Sequence, residues 1–407
     1  MIAGLVACQS GTTIPPTTSV LPTTVPANPT ATVVPATTVP TVVPPTTMPT
    51  VVPPTSAASA STKVTIPSNL PKKKIGVFAY SFADSYGLRE KSIMESLAKT
   101  FNVEFVFIEW GVTPDANLAA FEPALQTGLD GVIVAGGSVA LMEATKKAGN
   151  IPLIGAAALM DDAKGKQLSA YDNFLGQITP NDYISGENSA DALYAAGCRK
   201  VAAIGVTPGL SAALDARMQG FKDRVAAKYP DMKIIAQDLS LDFVKAISSF
   251  AAAYPEMDGI FTTGLNEQAY QAITNEGLVG KIKLVSYDIA QSTKDFFDNG
   301  TLVYDAGLQY NAYFDAFVVL YNYLYNGTKL IPDTSKAVTT NYIEIKNSAD
   351  YQTILKVANG DLQVYTPDEI AGMIKGFNPS FTFEDFVKIN EAYSVADLVA
   401  RHANDLK

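Results

Sequence analysis

The sequence predicts an α/β fold of two lobes, each a parallel sheet with helices on both faces. Three observations carry this. Short apolar runs alternate with helix-period stretches over about 250 residues from Lys72 onward, as crossover-connected parallel strands require. The alternation falls into two series. A stretch of 62 residues without Asp, Glu, Lys or Arg precedes both and contains half of the 24 prolines.

That first stretch is not foldable in the same way. Residues 9–63 are Thr, Pro, Val, Ala and Ser in near-repeats such as Val51-Val-Pro-Pro-Thr55. Proline at this density opposes helix and sheet and favours extended polyproline II at ~3.1 Å per residue, so the segment reads as a tether with reach on the order of 150 Å. Thr-Pro tracts of this kind are also O-glycosylation substrates.

The first series then opens with a strand over 75–80 and a helix pattern through Leu88, Ile93 and Leu97. A strand over 103–108 leads to Thr113-Pro114-Asp115, with proline in the first turn of a helix to about Gln126. A strand over 132–135 ends at Gly136-Gly137-Ser138 before a helix to Lys147. Strand 152–155 follows, then an irregular, solvent-facing segment over 156–173 in which Asp161-Asp162 reads as a loop. Strand 174–178 and a helix from Thr179-Pro180-Asn181-Asp182 through Ala195 close the series.

The second series pairs strand 201–206 with helix 210–229, 233–237 with 240–254, 259–263 with 266–276, 283–287 with 291–299, and 302–306 with the long helix 310–326. The expected organisation is a short leader (1–8), a disordered linker (9–71), a first lobe (72–178 with 309–337), a second lobe (179–308 with 338–347) and a helical appendix (348–407). Helix starts at Thr366-Pro-Asp-Glu369 and Ser394-Val-Ala-Asp397 support the appendix. Crossovers near Ile178, Leu308 and Ala337 would form the hinge.

Composition excludes several functions. A net charge of −10 and a pI of 4.7 argue against nucleic acid. The single histidine, His402, lies near the end of the chain, and no nucleophile-elbow, Walker or metal-spacing motif occurs. No catalytic residue, metal or cofactor is expected. Cys198 reads as a packed thiol.

In Leu5-Val-Ala-Cys8 the chain resembles the lipobox of bacterial lipoproteins, which implies lipidation of Cys8 and an extracytoplasmic, membrane-anchored location. Only seven residues precede Cys8, so the signal reads as truncated. Six stretches carry a second resemblance: Ile75-Gly-Val77; Gly128-Leu-Asp-Gly-Val-Ile-Val134; Ala148-Gly-Asn-Ile-Pro152; Ala213-Leu-Asp-Ala-Arg-Met-Gln-Gly-Phe221; Tyr254-Pro-Glu-Met-Asp-Gly-Ile-Phe261; and Leu284-Val-Ser-Tyr-Asp288. In this order they resemble the type I periplasmic binding proteins, in detail the ribose/galactose branch whose ligand lobe is shared with LacI-type regulators. The resemblance spans about residues 72–346. A regulator would need a basic helix-turn-helix where the neutral stalk stands.

What the resemblance implies is a non-enzymatic solute-binding protein that closes two lobes around a small polar ligand, a sugar first of all, and delivers it to an ABC permease. It also implies the contacts: Tyr80, Phe82 and Tyr86 stacking on the ligand, Arg217 forking two hydroxyls, Asp288 accepting from hydroxyls, and Asn266 and Gln309 (or its neighbour) as polar partners. At the third strand the family's hydroxyl acceptor is replaced by Gly137 and Ser138, whose helix-start N–H groups suit an anionic or carbonyl oxygen. Two alternatives follow: a nucleoside or carbonyl cargo, and a sensory receptor signalling to a membrane kinase. Alanine at Arg217 or Asp288 is expected to abolish binding and spare the fold. Trp110 reads as a packing residue.

Overall fold

The structure is a computed structural model. It describes residues 64–407 except 84, 112, 265, 291 and 407, and leaves out the side chains of Ser85 and Tyr86. Cys8 and the Thr/Pro tract lie outside the described residues.

The first lobe is built from β1 (Lys73–Ala79), α1 (Ser85–Phe101), β2 (Val103–Glu109), α2 (Pro114–Leu125), β3 (Gly131–Val134), α3 (Val139–Lys147), β4 (Leu153–Gly155), α4 (Asp162–Leu168) and β5 (Phe174–Pro180). The chain then runs through α5 (Asp182–Ala195), β6 (Lys200–Ile204), α6 (Ala212–Lys228), β7 (Lys233–Asp238), α7 (Phe243–Ala253), β8 (Gly259–Thr262), α8 (Asn266–Asn275), β9 (Lys283–Tyr287), α9 (Thr293–Asp298) and β10 (Leu302–Gly307). It returns with α10 (Asn311–Asn326) and crosses through β11 (Val338–Thr340) and β12 (Ile343–Ile345). It ends in α11 (Ser348–Ala358), α12 (Pro367–Gly372), α13 (Phe383–Ala392) and α14 (Val395–Arg401).

Two six-stranded sheets result, in the orders β11-β5-β4-β3-β1-β2 and β12-β10-β9-β8-β6-β7. The first is wholly parallel; in the second only β12 runs antiparallel, against β10. The apolar runs are buried on both faces, as covered parallel strands must be: Ile75, Val77 and Phe78 of β1 are fully enclosed. Glycines permit the closest approaches. A Cβ on Gly131 would meet Leu320 of α10 at 2.8 Å.

Three differences from the sequence reading have physical causes. Residues 156–173 hold a helix, α4, because Asp161 caps it by accepting from the Lys164 N–H at 2.7 Å, and Leu168 anchors it in the core. Strand β11 pairs with β5 and so belongs to the first sheet, which moves the third crossover from Ala337 to Asn341–Tyr342. Residues 64–71 are not free linker: Val64 and Ile66 pack on the first-lobe core, and Leu70 is buried with its carbonyl accepting from the Asn102 amide.

Helix α10 is the axis of the first lobe. It lies on β3, β4 and β5, and residues 311–322 are buried without interruption. An amphipathic helix buries one face; one buried all round needs a second cover. Helices α11–α14 supply it, sharing one apolar cluster with α10 through Ile354, Ile370, Phe386 and Leu398. Each such enclosed side chain contributes roughly 1.5–3 kcal/mol. The appendix is thus part of the core of the first lobe.

Candidate functional site

Parallel sheets place loops and helix N-termini beyond their strand ends, where ligands of open α/β folds sit. Strand ends of the second lobe and residues of the three crossovers lie there. β9 ends at Tyr287, and Asp288 follows with φ +71°, a left-handed conformation that Asp tolerates better than most residues. The turn is braced: the Asp288 N–H donates to the Ala306 carbonyl at 2.9 Å, and the Asn266 amide donates to the Asp288 carbonyl. The carboxylate itself is exposed to the solvent of the cleft, although protein surrounds it on most sides. That crowding raises its pKa, with Arg217 acting in the opposite direction and Asp182 adding to the rise.

Arg217, on α6, is almost fully enclosed. Its Nε donates to Asp182 Oδ1 at 2.8 Å, Nη1 to the Thr263 carbonyl at 2.8 Å and Nη2 to the Tyr342 hydroxyl at 2.7 Å. Tyr342 in turn donates to Asp182 Oδ1 at 2.7 Å. The guanidinium carbon stands 4.3 Å from the Tyr287 ring centroid, a cation–π contact. Burial works against the charge, but Tyr342, Asp182 and Asp288 outweigh it and hold the pKa above its ordinary value. Asp182 follows the first crossover and Tyr342 lies in the third, so Arg217 ties two hinge strands to the β8 end. Thr263 Oγ1 and Asp182 Oδ2 are buried beside it without hydrogen-bond partners.

The remaining expected residues divide. Gln309, in the second crossover, is 9% exposed, and its side-chain amide has no protein hydrogen bond among the described residues. Asn266 is buried, its Oδ1 accepting from the Glu267 N–H at 2.8 Å and its amide spent on Asp288, so it shapes the site from beneath. Phe82 is half-buried against Phe107, 5.2 Å between ring centroids, and its N–H donates to Glu109 at 2.7 Å. Tyr80 stands exposed at the loop. The side chain of Tyr86 lies outside the described residues. Gly137 turns its Cα toward Leu168, Phe174 and Leu153, and Ser138 Oγ accepts from the Leu141 N–H at 3.3 Å as the cap of α3. Trp110 packs on Phe78, with ring centroids 5.9 Å apart.

Residues that sequence reasoning passed over complete the site. Tyr310, in the second crossover, links the lobes: the Arg89 guanidinium of α1 lies 5.6 Å from its ring centroid, and Asp288 acts on it electrostatically from the other lobe. Burial pushes the Tyr310 pKa up to about 12. Tyr342 and Asp182 carried no local signal beyond helix-start and strand composition; only the return of the chain across the hinge brings them to Arg217. Cys198 is buried, its thiol donating to the Asp258 carbonyl, and burial pushes its pKa up to about 12, out of reach of thiolate chemistry. A depression of about 690 Å³ along α3, lined by Glu143, Lys146 and Tyr171 among others, contains none of the expected contacts.

Comparison with known proteins agrees with this geometry. Residues 75–328 match the family model described as a periplasmic binding protein domain. A xylitol-binding protein of Mycolicibacterium smegmatis is 26% identical over 265 residues, covering 59% of this chain and 72% of that protein. Among solved structures, an ABC transporter solute-binding protein of Actinobacillus succinogenes with bound D-allose superposes with a TM-score of 0.60 at 20% identity, covering 68% of this chain and 98% of that one. A solute-binding protein of Agrobacterium vitis bound with α-D-tagatopyranose gives 0.59 at 21%, covering 69% and 96%. A putative LacI transcriptional regulator of Bacteroides fragilis gives 0.55 at 16%, covering 69% and 98%. With two parallel-dominated lobes joined by three crossovers and a family match over most of its globular part, the chain belongs to the periplasmic binding proteins of type I, a family of ligand-binding proteins and not of enzymes.

Proposed function

We propose that the protein is an extracytoplasmic solute-binding protein that captures a sugar or sugar alcohol by two-lobe closure and passes it to an ABC permease. The observation that carries this is the solvent-open carboxylate of Asp288 at the end of β9, which acts electrostatically on Tyr310 in the second crossover, while Arg89 of the first lobe approaches the same ring; Gln309 precedes Tyr310 with no protein hydrogen bond to its side chain among the described residues. A carboxylate accepts two hydroxyl donors and an amide donates and accepts at once, a pattern that suits vicinal hydroxyls. Tyr80 and Phe82 offer rings to the C–H faces of such a ligand. The named ligands of the relatives, xylitol, D-allose and tagatose, are of this class. Arg217 supports the reading as the holder of the site; any ligand contact it makes uses the donors left over from Asp182, Thr263 and Tyr342. At the Gly136-Gly137-Ser138 loop the Ser138 hydroxyl is taken up in capping α3, so an anionic or carbonyl cargo there would be held by backbone N–H groups.

The test is a thermal-shift screen followed by calorimetry with xylitol, D-allose, D-tagatose, ribose, nucleosides and amino acids. A ligand at 100 times its Kd adds ~2.7 kcal/mol, which moves the midpoint by several degrees. A polyol or sugar hit that is lost in Asp288→Ala supports the proposal; hits confined to amino acids or nucleosides overturn the cargo. Anchoring through Cys8 is tested separately: Cys8→Ala should move the protein from the membrane fraction to the soluble one, and unchanged partition counts against the anchor.

A further inference from the structure

The four C-terminal helices touch both lobes and the hinge between them. On the first lobe they are fused. Arg89 of α1 drives its guanidinium into the end of α11, Nη1 donating to the Gly360 carbonyl at 3.1 Å and Nη2 to those of Val357 at 3.3 Å and Leu362 at 2.8 Å. Gln363 Nε2 donates to Ser92 Oγ at 3.1 Å. From α10, the Asn322 amide donates to the Met373 carbonyl at 3.0 Å and its Oδ1 accepts from the Lys375 N–H at 2.8 Å.

On the second lobe the same helices pack closely as well: α11 lies on α9 and β12, and α14 on β12, with Ile343 and Ile345 of β12 in the same apolar cluster as Tyr351 and Ile354. A groove of about 450 Å³, lined by Asn181, Asn188, Tyr342, Glu344, Lys346 and Val395 among others, parts the start of α14 from that lobe. Two hydrogen bonds then land on the crossovers themselves. The Tyr393 hydroxyl donates to the Leu308 carbonyl at 2.6 Å, where Leu308 stands at φ +55°. The Asn341 amide donates to the Glu391 carbonyl at 2.8 Å.

We propose that α11–α14 form a strap, fixed to the first lobe and laid across the hinge, that limits how far the second lobe swings open. The proposal rests on the two-lobe closure described above. Hinge motion is absorbed by φ and ψ changes at a few crossover residues. A crossover whose carbonyl or amide is held by a packed helix must break that bond or stay near its present angle. Burial of Tyr393 and Leu308 excludes the water that would otherwise replace it. The ligand-free protein is thereby kept near the binding-competent form, and less of the ligand's binding energy goes into closing it.

Spin labels report the angle. Both crossover-bearing edges are β5/β11 and β10/β12, so the opposite edges, at the starts of α2 and α7, move farthest. The full chain with Cys8→Ser carries labels at Asp115→Cys and Ser240→Cys, both exposed, while buried Cys198 stays unlabelled. Pulsed electron-resonance distances are compared between this parent, Tyr393→Phe with Asn341→Ala, and Arg89→Met. Tyr393→Phe keeps the ring in place and should fold; if Arg89→Met does not, the first variant decides. Without added sugar, the variants should show a longer mean distance by several ångström and a broader distribution. Distributions that coincide with the parent's in folded variants overturn the strap. Capture is read independently by calorimetry: a parent that binds none of xylitol, D-allose and D-tagatose at millimolar concentration counts against capture of these ligands, whatever the distances do.

Discussion

Arg217→Ala is the substitution whose outcome the structure changes most. From sequence alone it should abolish binding and leave the fold alone. The structure places Arg217 and Asp182 at side-chain exposures of 6% and 1%, in direct contact at 2.8 Å. Removing the arginine strands Asp182, whose Oδ2 already lacks a partner, and leaves the Thr263 carbonyl and Tyr342 hydroxyl without their donor. Breaking a buried pair from one side costs about 3–5 kcal/mol, and at ~2–4 °C per kcal/mol for a lobe of this size the midpoint should fall by roughly 6–20 °C. Calorimetric melting of Arg217→Ala, Asp182→Asn and the double variant Arg217→Met/Asp182→Asn forms the cycle. The double variant should recover much of the loss, because replacing both charges leaves neither ion stranded. A single variant melting within about 2 °C of the parent would refute the reasoning, since no buried ion pair of this kind loses a partner so cheaply.

Asp288→Ala, by contrast, removes an exposed carboxylate whose side chain braces nothing; it should cost at least tenfold in sugar affinity by calorimetry while the midpoint moves little. Asp305 is fully buried beneath the site, accepting from Thr293 Oγ1 at 3.0 Å, and burial raises its pKa from 3.8 to about 8. Its contribution to stability is therefore complete below about pH 4 and lost as pH rises through 8, so Asp305→Asn should melt with a flatter pH dependence across that window; an unchanged slope would exclude Asp305 as the cause. Asp191 behaves oppositely. Burial would raise its pKa, but hydrogen bonds from Arg224 and Tyr229 outweigh this and lower it to about 2, so its stabilisation holds above pH 4 and fades toward pH 2. Asp191→Asn should lose stability at neutral pH and converge with the parent in acid. Deleting residues 9–62 should leave sugar affinity unchanged; a large loss would give the stalk a role beyond spacing.

The alternation of elements was legible because buried parallel strands and their helices write two different periods into the chain, and the strand runs at 75–80, 201–206 and 283–287 needed no tertiary information. The misses were of another kind. Helix α4 depends on one cap, Asp161, and two buried residues, too short a pattern to outweigh a polar loop. β11 and β12 are three residues each, and which sheet takes each one is decided by where the crossover bends. Of the expected contacts, Asp288 directly follows β9 and Gln309 lies in the second crossover, places that strand ends alone made legible. Arg217 kept its place but gained a role as anchor, because its partners Asp182 and Tyr342 lie 35 and 125 residues away. Contacts of that separation leave no local period to read.

The enclosure of α10 has a consequence for assembly. The second lobe is nearly continuous in sequence and needs nothing beyond β12 to complete its sheet. The first lobe begins the folded chain and is finished last: α1 meets the loop after α11 across 273 residues. β5 gains its β11 neighbour only once residues 338–340 are made, and until the final helices follow, α10 has a bare apolar flank. Long-range closure of this kind slows folding, and a nascent or clipped chain would show the paradox of a sound middle and an unfinished beginning. Damage to the last sixty residues should thus register first as instability near the start of the globular part.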